Sequence, residues 1–186
     1  MKKTQKKITI SREINLPDNV SASYNGQILT VKGPKGEVKR AVNKHKISIK
    51  IGNCKIALES KTGTKKDKKM IGSLTAHTNN MIRGVSQNHI YILKICSGHF
   101  PMNASTSGNK LVIKNFLGEK VPRVLELKEG ADVKIDGDLI YVASTGKEIA
   151  GQVSADIEKL TRRAGYDSRV FQDGCYIISK DGKELK

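Results

Sequence analysis

One stretch of this chain is written twice. Residues 26–40 read GQILTVKGPKGEVKR and residues 108–123 read GNKLVIKNFLGEKVPR; Gly26 falls on Gly108, Leu29 on Leu111, Val31 on Ile113, Lys32 on Lys114, Gly36 on Gly118 and Glu37 on Glu119. The echo continues downstream, where ISIKIGNCKIALES (47–60) lines up with ADVKIDGDLIYVAS (131–144) and matches Lys50 with Lys134, Ile51 with Ile135 and Ile56 with Ile140. A helical segment follows each block. In KKDKKMIGSLTAHTNNMIRG, residues Met70, Leu74, Thr78, Met81 and Ile82 fall on one stripe; in GKEIAGQVSADIEKLTRR, Ile149, Val153, Ile157 and Leu160 do so. Three blocks in one order, at nearly constant offset, argue for an internal duplication.

Alternating strands that pair locally, followed late by one amphipathic helix, predict an α+β fold: two tandem copies of a small domain, each with antiparallel β-sheets and one helix around a single core. The 186 residues suffice for two such domains. The spacing puts the boundary between residues 84 and 85, with the second copy opening on the strand HIYILKI (89–95). After Arg163 the chain has no counterpart in the first half. There SRVFQDGCYIISKDGKE predicts a strand over Tyr176–Ser179 between turns at Asp173-Gly174 and Asp181-Gly182.

Charge says what the surface is for. Lys and Arg number 34 against 18 Asp and Glu, a formal charge of +16, which bears on partners rather than on fold. The excess is uneven: residues 1–84 hold 19 basic residues against 5 acidic, and residues 85–186 hold 15 against 13. Aromatics are 4% and Trp is absent, so phosphate and sugar contact is favoured over base stacking. No apolar run is long enough to span a bilayer, and MKKTQKKITI has no apolar segment behind its lysines. Three scattered cysteines, Cys54, Cys96 and Cys175, suit free thiols and a cytoplasmic setting.

Catalytic patterns are weak. Cys96 and His99 lie three apart, but no second pair completes a zinc site, and His45, His77 and His89 are isolated. STGKE (144–148) lacks the upstream glycine and the following Ser or Thr of a phosphate-binding loop. We expect no enzyme, no metal and no cofactor. The run KTGTKKDKK (61–69) reads either as a solvated loop or as a mobile phosphate-binding cluster, with Lys65, Lys66, Lys68 and Lys69 as its candidates. Arg162 and Arg163 close the second helix, where the dipole also favours cations, and Arg169 and Lys180 follow.

LTVKGPKGEVKR, NFLGEKVPRV and RVFQDGCYIISK together resemble the large-subunit ribosomal protein family numbered six in bacteria and nine in eukaryotes. The third stretch fits an archaeal and eukaryotic signature at Arg169, Phe171, Asp173, Gly174, Tyr176, Ile177 and Lys180, with Cys175 where an aliphatic residue is usual. NNMIRGV (79–85) and HFPMN (99–103) resemble further landmarks. The resemblance spans nearly the whole chain and implies a eukaryotic-type member: a duplicated fold and a structural place on the large subunit, near the stalk base and the region that translation factors touch. It implies large-subunit ribosomal RNA and neighbouring ribosomal proteins as partners, with the nucleolus as the assembly site in a eukaryote. It also implies that the second half makes much of the RNA contact, against the cruder charge count; local density reconciles the two, since Lys147, Lys159, Arg162, Arg163, Arg169, Lys180, Lys183 and Lys186 can gather at one end. The rival reading is a basic nucleic-acid chaperone acting off the ribosome.

Overall fold

The computed structural model describes residues 10–42, 47–52, 54–60, 62–167 and 169–185. Lys61, Lys186 and the N-terminal lysines Lys2, Lys3, Lys6 and Lys7 lie outside the described residues. The chain divides into two compact units, Met1–Gln87 and Asn88–Lys186.

The first unit holds six strands, β1 (Ile10–Asn15), β2 (Ser21–Tyr24), β3 (Ile28–Gly33), β4 (Gly36–Ala41), β5 (Ile47–Ile51) and β6 (Lys55–Ser60), then helix α1 (Lys65–Gln87). They form two three-stranded antiparallel sheets, ordered β1-β6-β5 and β2-β3-β4. Period-two alternation sends Leu29, Val31, Ile56 and Leu58 fully inward, where they meet Ile71, Leu74, Met81 and Val85 of α1. The stripe drawn from the sequence is off by one at its start. Ile71 is buried and Met70 is 41% exposed. α1 runs on through Gln87, and Asn88, with φ 53°, opens the next unit.

The second unit repeats the plan with β7 (His89–Cys96), β8 (Asn103–Ser107), β9 (Lys110–Lys114), β10 (Arg123–Glu126), β11 (Ala131–Asp136), β12 (Leu139–Ser144) and α2 (Lys147–Leu160). Its orders, β11-β12-β7 and β10-β9-β8, are those of the first unit strand for strand. Leu111, Ile113 and Ile140 take the fully buried places of Leu29, Val31 and Ile56, and pack with Ala150, Val153 and Ile157 of α2. To this the tail adds β13 (Gly174–Lys180) and β14 (Lys183–Glu184), with β13 pairing antiparallel to β7 through a bulge between Ile177 and Ser179.

The repeat breaks at the hairpin. In the first unit Gly33 faces Gly36 across a two-residue turn. In the second, residues 115–122 intervene, with a 3-10 turn at Phe116–Gly118 and left-handed backbone at Asn115 (φ 58°) and Leu117 (φ 47°). Gly118 and Glu119 are therefore not the structural counterparts of Gly36 and Glu37. Glu37 is a strand residue bound to Lys32 and Lys39 at 3.0 and 2.8 Å, whereas Glu119 sits in the longer connection. That connection builds part of the site below.

Candidate nucleic-acid interface

The expected gathering of tail cations at one end does not occur. α2 and β13 run side by side in opposite directions: Lys147 Nζ at the start of α2 is 3.8 Å from Asp181 just after β13, while the N–H of Cys175 donates to Thr161 Oγ1 at 2.9 Å at the other end. A 14-residue helix at 1.5 Å per residue holds those ends about 20 Å apart. Lys147, Lys180 and Lys183 thus belong to one end of the layer, and Lys159, Arg162 and Arg163 to the other. Lys180 and Lys183 face each other directly across the β13–β14 pair.

The end that carries Arg162 and Arg163 is built in detail. Arg123, from β10, forks onto Glu119 through Nε and Nη2 at 2.8 and 2.7 Å, donates through Nη1 to the carbonyl of Leu160, and lies 4.2 Å from the centre of the Phe116 ring. It closes the C-terminus of α2, where carbonyls lack partners within the helix, and so fixes where the chain leaves toward Arg162 and Arg163. Hydrogen bonding from Arg123 holds the Glu119 carboxyl below its ordinary range. Arg163 reaches Glu119 at 3.5 Å and stacks over Tyr166, 4.4 Å from its ring centre. Tyr166 meets Phe171 edge to face at 4.9 Å, and Phe171 stacks on His99 at 4.8 Å.

Asp173 anchors that stack. One carboxylate oxygen accepts the N–H groups of Gly98 and His99 at 2.7 and 3.0 Å, and the other lies 2.6 Å from His99 Nδ1. Burial pushes its pKa up, but the backbone and ring donors of His99 and the Gly98 N–H outweigh it and hold the carboxyl below its usual range. His99 is thus occupied in holding the tail loop. Cys175 is buried, and its thiol is pushed up to about 12 by desolvation, so it is not a nucleophile at neutral pH. Among the described residues no cluster of three or more His, Cys, Asp or Glu could hold a metal ion.

Arg169 is exposed and forks onto Asp167 at 3.1 and 2.8 Å, so its charge is partly answered locally. Among the described residues no carboxylate pairs with Lys159 or Arg162, both exposed. The sequence reading found the cations of this end but missed the closure of α2 by Arg123, the hold of His99 on the tail loop and the stacking role of Tyr166. The signal was the crowding of Tyr166, Phe171 and Tyr176 into eleven residues of a chain with eight aromatics.

The first-unit lysines are not on a mobile loop. Lys65, Lys66, Lys68 and Lys69 are exposed on the first turns of α1. Thr64 and Asp67 cap that end reciprocally: the Thr64 N–H and hydroxyl donate to Asp67 at 3.0 and 2.7 Å, and the Asp67 N–H donates to Thr64 Oγ1 at 3.2 Å. Hydrogen bonds from Thr62 and Thr64 hold the Asp67 carboxyl at about 2. The cap overrides the loop expectation and sets four cations at the positive end of a long helix.

The described residues thus make a duplicated α+β protein with four lysines at the start of α1 and, in the second unit, exposed cations at both ends of α2, aromatics clustering at the end where α2 stops. A family model described as Ribosomal protein L6 matches residues 16–88 and again residues 100–174. The chain is 43% identical over 95% of its length, and 97% of the relative's, to the Large ribosomal subunit protein uL6 of Methanococcus vannielii. To the Large ribosomal subunit protein uL6 of Methanobrevibacter smithii it is 41% identical over 92% of its own length and 97% of the other; to that of Methanospirillum hungatei it is 38% identical over 93% and 98%. The chain belongs to the ribosomal protein L6 family, as the residue patterns of the tail and the repeated hairpin implied.

Proposed function

We propose that this chain is built into the large ribosomal subunit by ribosomal RNA held at the end of the second unit where α2 stops and β13 begins, with the lysines of α1 as a second, weaker contact. As a member of its family it is a structural constituent of the ribosome and not an enzyme. Its partners are ribosomal RNA and other ribosomal proteins, and it works in the cytoplasm in translation. The position we assign is near the stalk base and the factor-binding region, with translation factors passing close by and subunit assembly depending on the contact.

The observation that carries the reading is Arg162 with Lys159. They are exposed, unpaired among the described residues, and fixed in place through the Arg123 closure of α2. Structured RNA is read through phosphate, 2′-hydroxyl and shape, which such donors suit. A salt titration of binding to large-subunit RNA tests it. Each phosphate contact removed lowers the salt slope by about 0.7–0.9. The triple variant Arg162→Ala, Arg163→Ala, Arg169→Ala should lose more affinity per charge than Lys65→Ala, Lys66→Ala, Lys68→Ala, Lys69→Ala, and should incorporate poorly into subunits. A greater loss per charge from the lysine set would move the main contact to α1. Protein that washes off large subunits in high salt would favour the chaperone reading.

A further inference from the structure

A chain with only eight aromatic residues places four of them on the wall of one cavity. Phe116, Tyr166, Phe171 and Tyr176 line a recess of about 560 Å³ in the second unit, within the range of pockets that hold small organic ligands. Composition alone argued against base stacking; the fold concentrates what little aromatic surface there is. Tyr166 is 44% exposed and Tyr176 43% exposed, so ring surface is left open there rather than spent on the core. Lys159, Arg162 and Arg163 also line the recess. Arg163 extends the platform by its stack on Tyr166, with a guanidinium that can both lie against a ring and fork onto a phosphate.

We infer that this recess takes one unpaired nucleotide turned out of an RNA helix, its base stacked against the tyrosines and its flanking phosphates held by Lys159, Arg162 and Arg163. The proposal rests on the RNA-binding reading above and adds to it a site for a base. Aromatic walls favour a π-face, and cations on the same wall favour the phosphates on either side of it; a paired helix presents no free face to stack. The wall also carries Glu158, which suits a base with amino hydrogens to donate at that point and not a further phosphate.

The stack of Phe171 on His99, and the bond of His99 to Asp173, hold one wall in place before any ligand arrives. The site is therefore built from parts 74 residues apart in sequence, which ties the tail loop to the end of β7. Tyr166 stands in the exposed stretch after α2, outside any strand or helix, so its truncation should leave the fold intact.

The test uses the full chain and three short RNA duplexes: fully paired, with a single bulged adenosine, and with an abasic residue at the bulge. Stacking of one base on aromatic side chains is worth about 1–3 kcal/mol, or roughly 5–150-fold in affinity. The bulged adenosine should bind tighter than the abasic bulge by a factor in that range. Tyr166→Ala should collapse the ratio toward one, and Tyr166→Phe should restore most of it. Equal binding of all three RNAs by the parent chain overturns the nucleotide site and leaves phosphate contact standing. A parent chain that binds none of them at low salt overturns the RNA reading itself. An adenosine preference unchanged in Tyr166→Ala moves the base elsewhere and overturns this recess as its site.

Discussion

The two units share one topology and differ in what closes it. In the first, the sheet ordered β1-β6-β5 ends at β1 among the described residues; in the second, the corresponding strand β7 is paired on its outer side by β13. The helices differ in the opposite sense, 23 residues in α1 against 14 in α2. A long helix beside a three-stranded sheet and a short helix beside a five-stranded one are two ways of closing the same plan. The second way brings a tail loop and its aromatics to the end of α2. The duplicated part makes the scaffold, and the unduplicated part makes the more elaborate site.

That contrast is broken most severely by removing the tail. A chain ending at Gln172 loses β13, the strand that pairs with β7 along its length and packs on α2. Hydrogen exchange should then show the second unit's amides unprotected while those of the first unit keep their protection. Protection of β7 and α2 in the truncated chain would mean that β13 is an accessory and that the two units close alike.

Asp173 isolates the same difference in one side chain, since the first unit has no equivalent tail. Asp173→Asn replaces a carboxylate that accepts three donors, and hydrogen bonds to a charged group are worth about 1.5–3 kcal/mol each before relaxation. We expect a loss in about that range for the second unit at pH 7. The pH dependence has a definite sign. The folded carboxyl lies below its ordinary value of about 3.9, so its stabilisation is present above that pH and fades as pH falls through the folded value. Urea titrations from pH 7 downward should show parent and variant converging in acid. A constant gap would assign the loss to packing.

The shared scaffold was legible because its signals are local. Leu29 with Leu111, Val31 with Ile113, and Ile56 with Ile140 sit at period-two positions of matching strands, and all six are fully buried. The tail strand was legible too, but its seat on β7 was not, because pairing across some eighty residues leaves no periodicity to read. The same limit hid the site. Arg162 and Arg163 show as charge, whereas His99 joins Asp173 and Phe171 only through the fold. The second hairpin misled because Gly118 and Glu119 match Gly36 and Glu37 by count alone, the connection between β9 and β10 having been lengthened.

Gly33 sharpens the comparison from the other unit. A Cβ placed there meets the backbone carbonyl of Val85 at 2.8 Å, and that carbonyl already accepts the Lys35 N–H at 2.9 Å. The β3–β4 turn is thereby fastened to the last turn of α1, and neither side can shift cheaply. Gly33→Ala should cost about 1–3 kcal/mol by forced displacement, confined to the first unit. Its counterpart by sequence offset, Asn115, carries a side chain in a left-handed conformation and donates from it to the Pro101 carbonyl at 3.0 Å. Thermal unfolding followed by exchange or by unit-specific labels should show only the first unit weakened.

The smallest expected effect reads the two helix ends against each other. Lys65, Lys66, Lys68 and Lys69 stand at the start of α1, where unpaired N–H groups make the helix end positive; Lys159 stands in the last turn of α2, where the end is negative. Cations at the first site oppose the dipole and at the second agree with it, by about 0.3–1 kcal/mol at low ionic strength and surface exposure. Replacing the four lysines with Gln should therefore raise the stability of the first unit slightly, and Lys159→Gln should lower that of the second. Both changes should shrink as salt is added, because exposed charges are screened. Both should also weaken RNA binding. Opposite signs in stability with the same sign in binding would mark the lysines of α1 as held against folding for the sake of a phosphate partner. If the quadruple variant is less stable at low salt, the Thr64–Asp67 cap already neutralises that end and the lysines cost the helix nothing.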